Sequence, residues 1–121
     1  MENIELGEIQ SRFADLLWEY APVATGELVK LCAERFGWKK STTYTVLHKL
    51  CERGLFVNEN GEVRPLLTRD EFYSAKSVSF VRESFGGSLP SFLAAFASRK
   101  ALSQKEIDEI QSIIDEYRKG N

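Results

Sequence analysis

Apolar residues in the first half of the chain recur with the period of an α-helix in three successive stretches. The first stretch runs from Leu6 to Tyr20, and each of the next two ends at a glycine, as helices commonly do. We expect Thr25 and Ser41 to cap the second and third helices, because their hydroxyls can accept hydrogen bonds from free backbone N–H groups. The residues predicted to face the core are Ile9, Phe13, Leu16, Leu17, Tyr20, Leu28, Val29, Cys32, Ala33, Phe36, Thr43, Val46, Leu47, Leu50 and Cys51.

The period changes after the third helix. Leu55-Phe56-Val57 is β-branched and aromatic, Asn60-Gly61 is a strong hairpin signal, and Glu62-Val63-Arg64 can return as an antiparallel strand. Helices followed by a hairpin predict a winged helix-turn-helix domain over residues 1–67.

Residues 68–121 return to the helical period in three segments. Capping-box patterns begin at Thr68 and Ser103, and Ser88 is placed to cap the helix between them. Such a short region cannot enclose its own large apolar side chains, so we expect a second copy of the chain to cover them. The predicted dimerisation residues are Phe80, Phe85, Leu89, Phe92, Leu93, Phe96, Ile107, Ile110 and Ile114. The expected fold is mainly α with a small β-hairpin, a winged helix-turn-helix followed by a three-helix dimerisation region.

Composition agrees with a globular protein. Of the 121 residues, 43% are hydrophobic and 28% are charged. No apolar run approaches the ~20 residues that span a membrane, and the N-terminus lacks the pattern of a signal peptide, so we expect a cytosolic protein with no membrane partner. Cys32 and Cys51 do not have the spacing of a zinc site, and we predict that both are small apolar core residues.

The sequence has little that could support catalysis. His48 is the single histidine, and no nucleophile elbow, metalloprotease motif or phosphate-binding loop is present. The carboxylates are spread over predicted helix surfaces. We therefore expect no enzymatic activity, no metal ion and no cofactor.

The third helix carries the most informative surface. The net charge is −2, yet the window from Arg35 to Arg53 holds five basic residues and one acid, Glu52. The outward face of the third helix combines short hydroxyls, an aromatic ring and cations, as a recognition helix in the DNA major groove requires. We expect its threonines and His48 to contact bases and its lysines to contact phosphates. The predicted DNA-binding residues are Lys39, Lys40, Ser41, Thr42, Tyr44, Thr45, His48 and Lys49, with Arg64 in the wing.

Two of the aromatic residues near this helix have different expected roles. Trp38 is predicted to pack in the core at the turn before the helix. For Tyr44 two placements remain open: stacking on sugar edges of DNA, or folding back over the positive face near Trp38.

Short motifs follow one another along nearly the whole chain in a recognisable order. They are Leu17-Trp18-Glu19, residues 23–29, residues 37–42, Thr45-Val46-Leu47, residues 49–55, residues 65–73 and residues 85–89. In this order and spacing the chain resembles the penicillinase repressor family. The resemblance implies a homodimeric repressor whose N-terminal winged helix binds an inverted repeat and whose C-terminal helices dimerise.

Three departures from the family pattern limit what the resemblance implies. Antibiotic-responsive members are cut at an Asn-Phe bond in the fifth helix, and the matching pair here is Ala95-Phe96, so we expect a different route of inactivation. Copper-responsive members carry a C-terminal cysteine hook, whereas residues 115–121 contain no cysteine, so we do not expect copper sensing. The wing also lacks the aromatic residues usual before Pro65, so we expect its second strand to be short and its minor-groove or phosphate contacts to be few, with Arg64 the best candidate.

The leading hypothesis is a homodimeric, sequence-specific transcriptional repressor that binds a two-fold symmetric operator in double-stranded DNA. A second hypothesis is a winged-helix protein-interaction module, in which Tyr44, His48 and Lys49 contact a protein. A third is a ligand-sensing regulator with a pocket between the fifth helix and its dimer mate.

Overall fold

A computed structural model of the chain describes residues 6–120. The elements are α1 (Glu8–Tyr20), β1 (Val23–Ala24), α2 (Thr25–Phe36), α3 (Lys40–Glu52), β2 (Phe56–Glu59), β3 (Glu62–Pro65), α4 (Arg69–Ser84), α5 (Leu89–Arg99) and α6 (Gln104–Gly120). The strands form one antiparallel sheet in the order β1-β3-β2. The predicted fold class is confirmed: the chain is mostly helical, with a winged helix-turn-helix ahead of three further helices.

The chain divides into two compact units inside α4. The first unit extends to Ser77 and the second begins at Val78. The domain boundary predicted from the sequence, after Leu67, precedes the same helix.

The first unit encloses a core drawn from its first three helices, the sheet and the start of α4. Phe72 of α4 is fully buried, and its ring centroid lies 5.4 Å from that of Trp18 in α1. The Trp18 indole N–H donates a hydrogen bond to the Leu67 carbonyl at 2.9 Å. These contacts attach the beginning of α4 to the winged helix. The buried apolar residues are Phe13, Ala14, Leu16, Leu17, Val23, Leu28, Cys32, Leu47, Leu50, Leu55, Phe56, Val63 and Phe72.

Several local predictions for the first unit were wrong. Ile9 and Tyr20, at the two ends of α1, are exposed. Thr25 does not cap α2 but is its first residue, because the chain enters the helix directly from β1 and the Thr25 N–H donates to the Gly61 carbonyl. Ser41 lies inside α3, which begins one residue earlier at Lys40.

The wing is longer than the sequence suggested. Asn60 and Gly61 both have positive φ, 54° and 75°, which matches the tight hairpin turn that this dipeptide favours. From this turn the pairing runs from Glu59 opposite Glu62 back to Phe56 opposite Pro65. β2 and β3 therefore have four residues each, one more than each of the three-residue strands that the sequence pattern indicated.

The second unit has helix caps that were predicted and a core that is incomplete. Ser88 accepts a hydrogen bond from the Ser91 N–H, and Ser103 and Glu106 exchange hydrogen bonds as a capping box. Phe80, Phe85, Phe92 and Phe96 form a chain of ring contacts at centroid distances of 5.6–6.3 Å. Every residue of this unit that the structure describes is at least partly exposed to solvent.

Candidate nucleic-acid interface

The buried residues of α3 determine which face of the helix reaches solvent. Thr43, Leu47 and Leu50 are buried at the helical spacing of three and four residues and hold the helix against the core. Thr43 is accommodated there because its hydroxyl donates to the Lys39 carbonyl. Apart from Arg64 in the wing, the residues predicted to contact DNA are all exposed and lie on α3 or at its N-cap, namely Lys39, Lys40, Ser41, Thr42, Tyr44, Thr45, His48 and Lys49.

The N-terminal end of α3 is positive and open. Its first turn contains no acidic residue, and its N-cap, Lys39, has no side-chain acceptor for the free backbone N–H groups. Among residues 6–120 no carboxylate lies within ion-pair distance of Lys39, Lys40 or Lys49. Unpaired ammonium groups beside free N–H groups suit the phosphates of a nucleic acid.

Two side chains of the candidate interface, His48 and Arg64, are instead engaged within the protein. His48 Nε2 lies 3.5 Å from Glu52 Oε1, one turn further along α3. In the wing, Arg64 Nη2 lies 3.2 Å from Glu59 Oε1, and Arg64 Nε lies 3.9 Å from Glu62 Oε1. The side chains of these pairs are exposed, and exposed pairs contribute little to the stability of the protein. A DNA phosphate could therefore replace a carboxylate at a small cost in free energy. The two wing glutamates still lower the local positive charge.

The structure places Tyr44 on the wing side of α3. Its ring lines an open groove of about 420 Å³ between α3 and β2, together with His48 and Leu66. The Lys40 Nζ lies 6.0 Å from the centroid of the Tyr44 ring. Trp38 packs against Phe13 and Phe36, as expected for a core residue, and within the described residues no ring contact joins it to Tyr44.

Two hydroxyls of this face differ in a way that the sequence could not reveal. The Thr45 hydroxyl donates to the Ser41 carbonyl, one turn earlier, at 2.9 Å. Within the described residues the Thr42 hydroxyl has no hydrogen-bond partner. Side-chain hydrogen bonds of this kind depend on rotamers, which sequence spacing does not determine.

Within residues 6–120, the thiols and the possible metal ligands form no second site. Burial raises the pKa of the Cys32 thiol and of the Cys51 thiol, which lowers the fraction of reactive thiolate at neutral pH. Among residues 6–120 no three histidine, cysteine or carboxylate side chains come together as metal ligands. In the same part of the chain, no helix has the length and apolar character needed to cross a bilayer.

Comparison with known proteins settles the family. Residues 6–116 match the family described as Penicillinase repressor. The chain belongs to the penicillinase repressor family. It is 24% identical over 119 residues to the penicillinase repressor of Bacillus licheniformis, a match that covers 94% of this chain and 92% of that protein.

Membership of the penicillinase repressor family confirms the resemblance drawn from the motifs and bears directly on function. The chain is a DNA-binding transcriptional repressor and not an enzyme. The matched region extends over both compact units, from the start of the winged helix to the last turns of α6.

Proposed function

We propose that this repressor acts as a homodimer that inserts α3 of each protomer into the major groove of a two-fold symmetric operator. The observation that carries the proposal is the exposed, acid-free first half of α3, where hydroxyls lie beside unpaired lysines. A recognition helix contacts base edges with its first turns, where short side chains suffice. Bound in this way at a promoter, the dimer excludes the transcription machinery.

The candidate residues divide into two groups by chemistry. Thr42, Thr45 and His48 contact base edges, because hydroxyl, methyl and imidazole groups match features of the major groove. Lys39, Lys40 and Lys49 contact phosphates, as does the N-terminal end of α3, with Ser41 and Tyr44 at the groove wall. Arg64 of the wing makes a weaker phosphate contact, since it must first leave Glu59 and Glu62.

The second unit supplies the surface for dimerisation. Residues 1–67 bind DNA, and residues 68–121, of which the part from Val78 onward forms the second unit, pair with the same region of a second chain. Support comes from the large apolar side chains that a single chain leaves exposed, because monomeric proteins seldom leave so many in one small region. Those at least 43% exposed include Phe80, Leu89, Phe96, Ile107 and Ile114.

Selection from a pool of random DNA duplexes tests the DNA part of the proposal. The full-length protein should enrich sites with an inverted repeat whose half-site centres lie ~34 Å apart, or a multiple of that distance, along the duplex axis. Failure to enrich any duplex contradicts the proposal. Enrichment of a single, unrepeated site contradicts the two-fold arrangement alone.

A salt series separates DNA binding from use of the same face for a protein. The logarithm of operator affinity should fall with the logarithm of salt concentration, with a slope of about −0.9 per contacted phosphate. Lys40→Ala should weaken binding to all duplexes alike and make the slope shallower by about two for the dimer, one phosphate per half-site. The matched control is Lys105→Ala, an exposed lysine of α6, which should leave the slope unchanged. Equal slopes for both variants and the wild type contradict the phosphate assignment.

A further inference from the structure

The hydroxyl of Thr45 already makes a hydrogen bond within the protein. Its single proton is donated to the Ser41 carbonyl at 2.9 Å, although the residue is exposed on the outward face of α3. A threonine hydroxyl has one proton to donate and otherwise only accepts. Thr45 therefore has no hydroxyl proton left for a hydrogen-bond acceptor on a DNA base.

The acceptors that this excludes are the ones most often used for direct recognition. In the major groove guanine presents N7 and O6, adenine presents N7 and thymine presents O4. A hydroxyl donor to any of these would have to release the Ser41 carbonyl first. Without losing this bond, Thr45 can present its γ-methyl, or its hydroxyl oxygen as an acceptor for the amino group of adenine or cytosine; the γ-methyl is the group that matches thymine.

Thymine is the one base with an apolar group in the major groove, its C5-methyl. Thr45 lies near the middle of the exposed face, between Thr42 and His48, which are each three residues away on the same side of α3. Thr42 has a hydroxyl that is free within the described structure, so hydrogen bonding and apolar contact are assigned to different residues of this face.

We infer that Thr45 recognises one thymine in each half-site through contact between its γ-methyl and the C5-methyl of the base. The inference rests on the proposed function, since it requires α3 to occupy the major groove. The Thr45 hydroxyl donates its proton to the Ser41 carbonyl within α3 and not to the DNA. Thr45 is on this account a specificity-determining residue for the operator.

Deoxyuridine provides the direct test, because it differs from thymidine only by the C5-methyl. Each thymine of the selected operator is replaced in turn, symmetrically in both half-sites, and binding of the full-length protein is measured by fluorescence anisotropy. One position should lose about fourfold in affinity per half-site, the effect expected for burial of one methyl group, and about fifteenfold for the pair. At that position 5-methylcytosine should likewise bind better than cytosine.

Two variants separate the methyl of Thr45 from its hydroxyl. Thr45→Val keeps a methyl and removes the hydroxyl, and it should bind within about twofold of the wild type and still lose affinity with deoxyuridine. Thr45→Ser keeps the hydroxyl and removes the methyl, and it should bind thymine and uracil operators equally. The matched control is Thr42→Val, which removes a hydroxyl free for DNA and should weaken binding more than Thr45→Val does.

The possible failures are distinguishable. If the protein binds its operator but Thr45→Val loses about tenfold or more while every uracil substitution is neutral, the hydroxyl makes the contact and the inference is overturned, with the proposed function intact. If the protein binds no duplex at all, the proposed function fails and the inference fails with it.

Discussion

Shortening two isoleucines of α6 should dissociate the proposed dimer without unfolding the helix. Ile107 and Ile114 lie about two turns apart on one stripe, and they are 44% and 45% exposed in a single chain. Alanine has the highest helix propensity, so the double variant Ile107→Ala with Ile114→Ala should keep α6 helical. The change therefore acts on the side chains that a partner would cover.

The expected loss of dimerisation free energy follows from the part of each isoleucine side chain that is exposed in a single chain and that a partner would bury. Fully burying an isoleucine side chain contributes about 1.5–3 kcal/mol, so covering the remaining part of each side chain contributes about 1 kcal/mol. A two-fold symmetric dimer contains each residue twice, and the double variant removes four such contributions. The loss is about 4 kcal/mol, which weakens the dimer roughly a thousandfold.

Sedimentation velocity over a concentration series measures this loss. At micromolar concentration the wild type should sediment at about 28 kDa, twice the 13.8 kDa of one chain, and the double variant should sediment as a monomer. Circular dichroism should report the same helix content for both proteins.

The matched control is Ser112→Ala, on the opposite face of α6 and exposed, which should dimerise like the wild type. A wild type that is monomeric at micromolar concentration refutes the dimer itself. A double variant with wild-type dimer affinity refutes the assignment of this stripe to the interface.

Three further predictions concern stability, thiol chemistry and inactivation. Phe72→Ala removes a fully buried ring that joins α4 to the winged helix and should cost about 3–5 kcal/mol in urea denaturation, whereas a loss below about 1 kcal/mol would show that the site is not tightly packed. Because burial raises the pKa of both thiols, Cys32 and Cys51 should react with iodoacetamide at pH 8 more slowly than free cysteine, and the fully buried Cys32 should react slowest. Mass spectrometry measures the rate of alkylation, and rates equal to that of free cysteine would contradict the prediction. Alanine stands at position 95 where the cleaved members carry asparagine, so a protease site built around the asparagine amide loses its hydrogen bonds; the repressor should remain intact in lysate from cells challenged with a β-lactam, and a fragment ending at Ala95 would contradict this.

The sequence by itself predicted the elements whose signals are local. Helix caps at Ser88 and Ser103 and the Asn60-Gly61 turn depend on residues within a few positions of each other, and the structure confirms them. The outward face of α3 was also predictable, because burial of every third or fourth residue determines which side chains remain outside.

Features that depend on distant parts of the chain were decided only by the tertiary structure. The short strand β1 carries no recognisable signal, since it is a strand only through its pairing with β3, and that pairing displaced the predicted cap of α2. Phe72 joins the winged-helix core because Trp18 and Leu67 hold the start of α4 there. The Tyr44 ring lies toward the wing, and the Thr45 hydroxyl bonds to Ser41, because packing and rotamer choice select among positions that sequence spacing leaves equal.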